Sequence, residues 1–165
     1  MTIKLMQVVK DLVASFDIIT STDNQGNTTL HVAAYRGYLA AVDVLIHSSS
    51  SLASLKNNYG DTFLHMAVAD FRTPSFRRLD WQIELMKQLV CGNIVNMNEI
   101  ISDGRTAFNM AVIENIQGNL VELLMTVPSI NLNICDADGV TPLDILKQRP
   151  RSASSEIIIK QLISA

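Results

Sequence analysis

The chain has 165 residues, which fits a single domain with one continuous core. It is 48% hydrophobic and 18% charged, with a mean hydropathy of +0.22, yet no apolar run reaches the roughly 18 residues that span a bilayer. The formal net charge of −3 lacks the basic footprint of a nucleic-acid binder, so neither membrane insertion nor a nucleic-acid partner is expected.

The first element is a helix over about residues 3–15, carried by Val8-Val9-Lys10-Asp11-Leu12-Val13. Ile3, Leu5, Val8 and Leu12 are its apolar residues, and the pattern places no helix before them. Next comes Gly26-Asn27-Thr28-Thr29-Leu30-His31-Val32-Ala33, a turn glycine followed by a helix start. Glycine reaches positive φ cheaply, and Thr28 stands where an N-cap hydroxyl belongs. A second helix follows over Ala41-Val42-Asp43-Val44-Leu45-Ile46, and then the turn-forming run Ser48-Ser49-Ser50-Ser51.

The same order returns at Gly60-Asp61-Thr62-Phe63-Leu64-His65-Met66-Ala67 with Leu85-Met86-Lys87-Gln88-Leu89-Val90. It returns at Gly104-Arg105-Thr106-Ala107-Phe108-Asn109-Met110-Ala111 with Leu120-Val121-Glu122-Leu123-Leu124-Met125. A last copy is Gly139-Val140-Thr141-Pro142-Leu143-Asp144-Ile145-Leu146 with Ile158-Ile159-Lys160-Gln161-Leu162-Ile163. The glycines lie 34, 44 and 35 residues apart. Pro142 falls at a first helical position, where its missing donor does no harm.

A period near 33 residues with a T-P-L-H-x-A core is the pattern of ankyrin repeats, and nearly all of this chain resembles an ankyrin array. The second full repeat is also similar to multi-repeat ankyrin proteins of plants. The resemblance implies an all-α solenoid of stacked helix pairs with turn fingers. It would form one domain over residues 1–165, with a half repeat over 1–22 and repeats over about 23–56, 57–100, 101–135 and 136–165. A chain that opens in mid-repeat reads as part of a longer array. Its unpartnered first helix is expected to cover itself, for example by self-association with a second copy through the N-terminal half repeat.

The resemblance also implies a scaffold that recognises a protein partner through a concave face of turn tips and first helices. The variable contact positions of the family fall on Asn24, Gln25, Asn27, Tyr35 and Arg36, then on Asn58, Tyr59, Asp61, Ala69 and Asp70. The third repeat contributes Ser102, Asp103, Arg105, Ile113 and Glu114. Tyr35, Arg36 and Tyr59 are the strongest of these, because aromatics and arginine carry most interface energy. Two alternatives are a regulatory segment docking in cis within a larger protein and a self-assembling structural array.

One connection is long. Seventeen residues separate Ala67 from Glu84, where seven separate Ala33 from Ala40. The added stretch reads as a loop that Pro74 keeps from being a continuous helix. Its Phe71, Arg72, Phe76, Arg77, Arg78 and Trp81 form a secondary candidate interaction surface. A second stretched connection, Arg149-Pro150-Arg151-Ser152-Ala153-Ser154-Ser155, lies between the helices of the fourth full repeat, and its basic residues followed by serines suit a kinase that selects basic residues.

No catalytic constellation is present. His31 and His65 occupy the motif histidine, which hydrogen-bonds within and between turns in this family. Cys91, Cys135 and His65 lack zinc-site spacing, and Asp136-Ala137-Asp138-Gly139 is the turn that enters the last repeat rather than a calcium loop. Asn27-Thr28-Thr29 fits a glycosylation pattern, but Thr28 belongs to the helix start. No enzyme activity, cofactor or metal is expected. Two unclustered cysteines suit an intracellular protein, cytoplasmic or nuclear.

Overall fold

The computed structural model describes residues 7–8, 10–11, 19–69, 76–92, 95–114 and 118–164, with only the backbone described over 76–82 and at 118. The chain divides into two compact units, Met1–Asn96 and Met97–Ala165. Among the described residues the secondary structure is helical, apart from isolated antiparallel bridges that pair Thr22 with Thr28 and Ile100 with Thr106.

In the first unit, α1 spans Thr29–Tyr35 and α2 spans Leu39–Ser48, followed by a 3-10 turn over Ser50–Ser54. Helices α3 (Phe63–Ala69) and α4 (Phe76–Gly92) repeat the pair. Helix α1 packs on α3 and on α2, and α2 packs on α4. In the second unit, α5 (Ala107–Ile113) pairs with α6 (Gly118–Met125), and α7 (Pro142–Gln148) pairs with α8 (Ala153–Ser164). There α5 packs on α7 and α6 on α8. The helix starts expected near Thr28, Thr62, Thr106 and Thr141 are thus where the chain turns into helix.

These first helices have only seven residues, too short to be stable alone. Burial holds them. Leu30, Leu64 and Phe108 are fully enclosed, and each such side chain contributes about 1.5–3 kcal/mol when taken out of water. Ala33, Ala67 and Ala111 are buried too, at the position where the second side of each helix is covered. A side chain three carbons smaller than leucine's is what lets neighbouring seven-residue helices lie close.

The segment expected as a loop over 70–81 differs. Residues 70–75 lie outside the described part, but Phe76 begins α4, so Phe76, Arg77, Arg78 and Trp81 stand on a 17-residue helix. The cause is local. Beyond Pro74 there is no proline or glycine until Gly92, and Arg, Leu, Gln and Glu are good helix formers. A proline two residues ahead of Phe76 does not forbid a helix from there on. Residues 7, 8, 10 and 11 are helical, with Gln7 Nε2 donating to Asp11 Oδ1 at 2.9 Å one turn on. Val8 is exposed, whereas Ile3, Leu5 and Leu12 lie outside the described residues.

Glycine works at two kinds of place. Gly37, at φ 68°, closes α1: its N–H bonds to Ala34 O at 3.1 Å and the Tyr38 N–H bonds to Ala33 O at 2.9 Å. That pair of bonds is a Schellman motif, and it reverses the chain into α2. Gly26, Gly60, Gly104 and Gly139 hold the turns at φ 77°, 81°, 80° and 76°.

The turn glycines differ in what surrounds them. A β-carbon at Gly26 would lie 2.5 Å from Asn58 Oδ1 and 2.9 Å from the Asn58 backbone nitrogen, while one at Gly139 meets nothing within 4 Å. Gly139→Ala is therefore predicted to cost only the left-handed strain, about 1–2 kcal/mol. Gly26→Ala should cost more, because the neighbouring backbone has to move as well. Urea unfolding midpoints of the two variants check the order; equal losses would show that the clash at Gly26 relaxes freely.

Candidate functional site

The turn tips and the first helices are placed by one repeated set of hydrogen bonds. Three residues before the glycine, a short polar side chain organises the turn. Asp23 Oδ1 accepts from the N–H groups of Gln25 (2.8 Å) and Asn27 (2.9 Å). Asn57 Oδ1 does the same for Tyr59 and Asp61, both at 2.9 Å. Asp136 Oδ1 serves Asp138 (3.1 Å) and Val140 (3.0 Å). In the third repeat Ile101 stands at this position, and Asp103 Oδ1 takes the Arg105 N–H at 3.2 Å instead. The hydrogen bonds from the side chain and backbone of Asn27 hold the Asp23 carboxyl below its usual range.

At the helix starts Thr28, Thr106 and Thr141 cap, and at all four starts the residue three positions on bonds back to the threonine N–H. Thr28 Oγ1 accepts from the His31 N–H at 3.4 Å, and His31 Nδ1 meets the Thr28 N–H (3.2 Å) and hydroxyl (2.8 Å). Thr62 and His65 make the same ring contacts, at 3.2 and 2.8 Å. Asn109 Oδ1 accepts from the N–H and hydroxyl of Thr106, and Asp144 Oδ2 accepts from those of Thr141. This is a capping box in which His, Asn and Asp act in place of the usual Glu or Gln.

With Nδ1 of His31 accepting, its hydrogen must sit on Nε2, which donates to Asp61 O at 2.9 Å. One ring thus caps its own helix and ties it to the next turn. Asn109 reproduces both roles, because its Nδ2 donates to Ile134 O at 2.9 Å. Further bonds join adjacent tips. The Asn58 N–H donates to Gln25 O at 3.0 Å and Asn58 Nδ2 to Asn24 O at 3.2 Å; in the second unit the Ala137 N–H donates to Asp103 O at 2.8 Å.

The candidate contact residues separate accordingly. Asn24, Gln25, Asn58 and Tyr59 are exposed at the tips, and Arg36 is exposed at the end of α1. Tyr59 is 60% exposed. Tyr35, Asp61 and Ala69 are half-buried, and Asp70 lies outside the described residues with Phe71 and Arg72. Asn27 corrects its expectation: it is 6% exposed, and its amide is spent on Asp23 (3.0 Å), Gln25 (3.2 Å) and Asn57 (2.9 Å). It braces two turns from inside and offers nothing to a partner.

In the second unit Ser102 is exposed, while Asp103, Arg105, Ile113 and Glu114 are half-buried. Arg105 pairs with Asp103 at 3.2 Å and approaches Asp136 at 3.8 Å, so its charge is largely engaged between two turns. The Ile113 carbonyl accepts from the Arg149 guanidinium. The side chains of Phe76, Arg77, Arg78 and Trp81 lie outside the described part.

Val32 and Tyr38 are among the exposed apolar residues not singled out from the sequence. Val32 is 43% exposed and lies four residues before Arg36, hence on the same side of α1. Its signal is the position after the motif histidine, which the alternation of inward Leu30, His31, Ala33 and Ala34 leaves outside. Tyr38, 58% exposed, follows the helix-closing Gly37. Among the described residues no group of three or more His, Cys, Asp or Glu is placed to hold a metal ion, and no helix is long and apolar enough to cross a membrane. Cys91 and Cys135 are free and exposed.

Comparison with known proteins agrees with this geometry. The family described as ankyrin repeats (3 copies) matches residues 3–80. The chain is 30% identical over 149 residues to the nuclear factor NF-kappa-B p105 subunit of Gallus gallus, a match covering 88% of this chain and 14% of that protein. It is 30% identical over 92 residues to Rabankyrin-5 of Homo sapiens, covering 56% of this chain and 8% of the other. The chain therefore spans a small part of the curated relatives it matches. The crystal structure of an ankyrin repeat domain from Acinetobacter baumannii superposes with a TM-score of 0.75 at 25% identity, covering 96% of this chain and 74% of that one.

Burial pushes the His31 imidazole below its ordinary value of 6.5, with the Asp61 carbonyl and the Asp61 and Asp23 charges opposing the shift. A histidine held neutral in the fold contributes stability that is complete above about pH 6.5. That stability is lost as pH falls from there through the lower folded value, since only the unfolded chain then takes up the proton. The lowered carboxyls of Asp23 and Asp144 act in a separate window, below their ordinary 3.8. His31→Asn, which can cap Thr28 as Asn109 caps Thr106, is predicted to flatten the upper part of the profile. Urea unfolding of both proteins between about pH 8 and about pH 5 checks it; an unchanged slope in the variant would assign the acid sensitivity to another group.

Proposed function

Because this chain belongs to the ankyrin-repeat family, whose repeats are protein-interaction modules, we propose that it recognises a protein partner through the exposed side of its turn tips and first helices. In the first unit this surface consists of Asn24, Gln25, Asn58 and Tyr59 with Val32 and Arg36 on α1. The carrying observation is the bonding of Asn58 to both Gln25 O and Asn24 O beneath an exposed Tyr59. Tips fixed before a partner arrives lose little freedom on binding, so their aromatic and amide contacts count almost in full.

The division of labour supports the same reading. The motif Thr, His and Asn side chains satisfy one another inside, and the residues left facing water are those of variable chemistry. Within the first unit the half-buried Tyr35, Asp61 and Ala69 belong to the proposed set; the second unit, taken by itself, offers the exposed Ser102 with the half-buried Asp103, Arg105, Ile113 and Glu114. The chain is read as non-catalytic and as working in the reducing interior of a cell, where Cys91 and Cys135 remain thiols.

An Arg36→Ala, Tyr59→Ala double variant is predicted to keep its urea midpoint within about 0.5 kcal/mol per site, as surface changes do. Its affinity for a protein partner isolated on the wild-type chain should fall by about 30-fold or more, the loss of one interface hot spot. Calorimetry with the purified partner measures this. Full affinity in a correctly folded variant would remove the tips as the contact surface and turn attention to the helix start at Phe76–Trp81.

A further inference from the structure

The connection between α7 and α8 carries two arginines and three serines, and their surroundings differ. We propose that Ser154 is a phosphorylation site for a serine kinase that reads an arginine three residues before its target. Ser152 and Ser154 each have such an arginine, Arg149 and Arg151 respectively. The Arg149 guanidinium is bound to the Ile113 carbonyl and the residue is half-buried, so the determinant for Ser152 is occupied. The Arg151 side chain is 83% exposed, and its one ion pair among the described residues is with Glu156, at 4.0 Å. It is open to carboxylates in a kinase groove.

The hydroxyls divide the same way. Ser152 Oγ caps α8 by accepting the Ser155 N–H at 3.1 Å and donates to Ser155 Oγ at 3.1 Å; Ser155 itself is 9% exposed. Ser154 is exposed, and its hydroxyl makes no hydrogen bond to any described residue. Arg149 is extended (φ −89°, ψ 157°), and Pro150–Ser152 carry no regular structure. The stretch from Arg149 to Ser152 is therefore already free of helix, and only the first turn of α8 has to open for a kinase groove to take Ser154. Helix ends are where such opening is cheapest.

The chemistry is phosphoryl transfer from a nucleoside triphosphate held by the kinase. Ser154 Oγ forms a bond to the γ-phosphorus, the bond from that phosphorus to the β-phosphate oxygen breaks, and the nucleoside diphosphate leaves. The hydroxyl proton passes to the kinase's carboxylate base. The product places close to two negative charges beside Arg151, which can exchange its long contact with Glu156 for a charge-assisted hydrogen bond.

The test treats the full chain with ATP and the purified catalytic domain of an arginine-directed serine kinase, and maps phosphate by peptide mass spectrometry. Phosphate is expected on Ser154 and absent from Ser154→Ala. Arg151→Ala should slow incorporation about tenfold, the effect of losing one charge-assisted contact. Arg149→Lys, which keeps a cation for the Ile113 carbonyl, should leave the Ser154 rate unchanged. Circular dichroism establishes that each variant is folded. Phosphate on Ser152 with Ser154 unmodified, no phosphate on the folded chain, or a rate indifferent to Arg151 would each overturn the proposal.

Discussion

A hydrogen bond that a helix gives away holds the first unit in register. The ring of His31 closes the cap of α1 with one nitrogen and ties that helix to the next turn, at Asp61, with the other. Neither bond is strong, each worth about 1 kcal/mol net, but they are made by one rigid group. The cap cannot form in a different rotation without breaking the tie. The ring therefore specifies both where the helix begins and how far it lies from the following turn. The exposed tips of the first unit inherit their position from that constraint, through the Asn57–Asn27 bond at 2.9 Å and the rung from Asn58 to Gln25.

Much of this was legible in the residues. The glycines, the capping threonines and the inward Leu30, Leu64 and Phe108 each answer a local demand that any chain with that geometry must meet. The periodicity simply states the demand four times. The polar residue three places before each glycine, Asp23, Asn57 and Asp136, was equally readable but hidden by Ile101, which breaks the series. Asn27 was misread because position in a turn says nothing about direction. An amide one residue past the glycine can face solvent or the adjacent turn, and here the acceptors offered by Asp23 and Gln25 and the donor of Asn57 draw it inward.

The long connection shows a different limit. Pro74 marks a break in the helical pattern, yet proline constrains only its own turn and the residue before it. From Phe76 the chain has the composition of a helix and becomes one, lengthening α4 toward its N-terminus. Departures in repeat length can thus lie in a helix as easily as in a loop. The second such departure, between α7 and α8, does remain irregular: Pro150 disfavours helix at the residue before it, Arg149 is extended, and Ser152 caps the next helix.

The four residues at the returning position of the capping box are His31, His65, Asn109 and Asp144. In the genetic code these three amino acids share their second and third bases and differ only in the first. A single nucleotide change converts histidine to asparagine, asparagine to aspartate, or histidine to aspartate. All three keep an acceptor for the threonine, so the helix survives each exchange. Only the change to aspartate deletes the hydrogen that reaches the neighbouring turn. Point mutation can therefore switch lateral attachment of a repeat on or off without touching its helix, and the coding sequence holds every copy one base away from that switch.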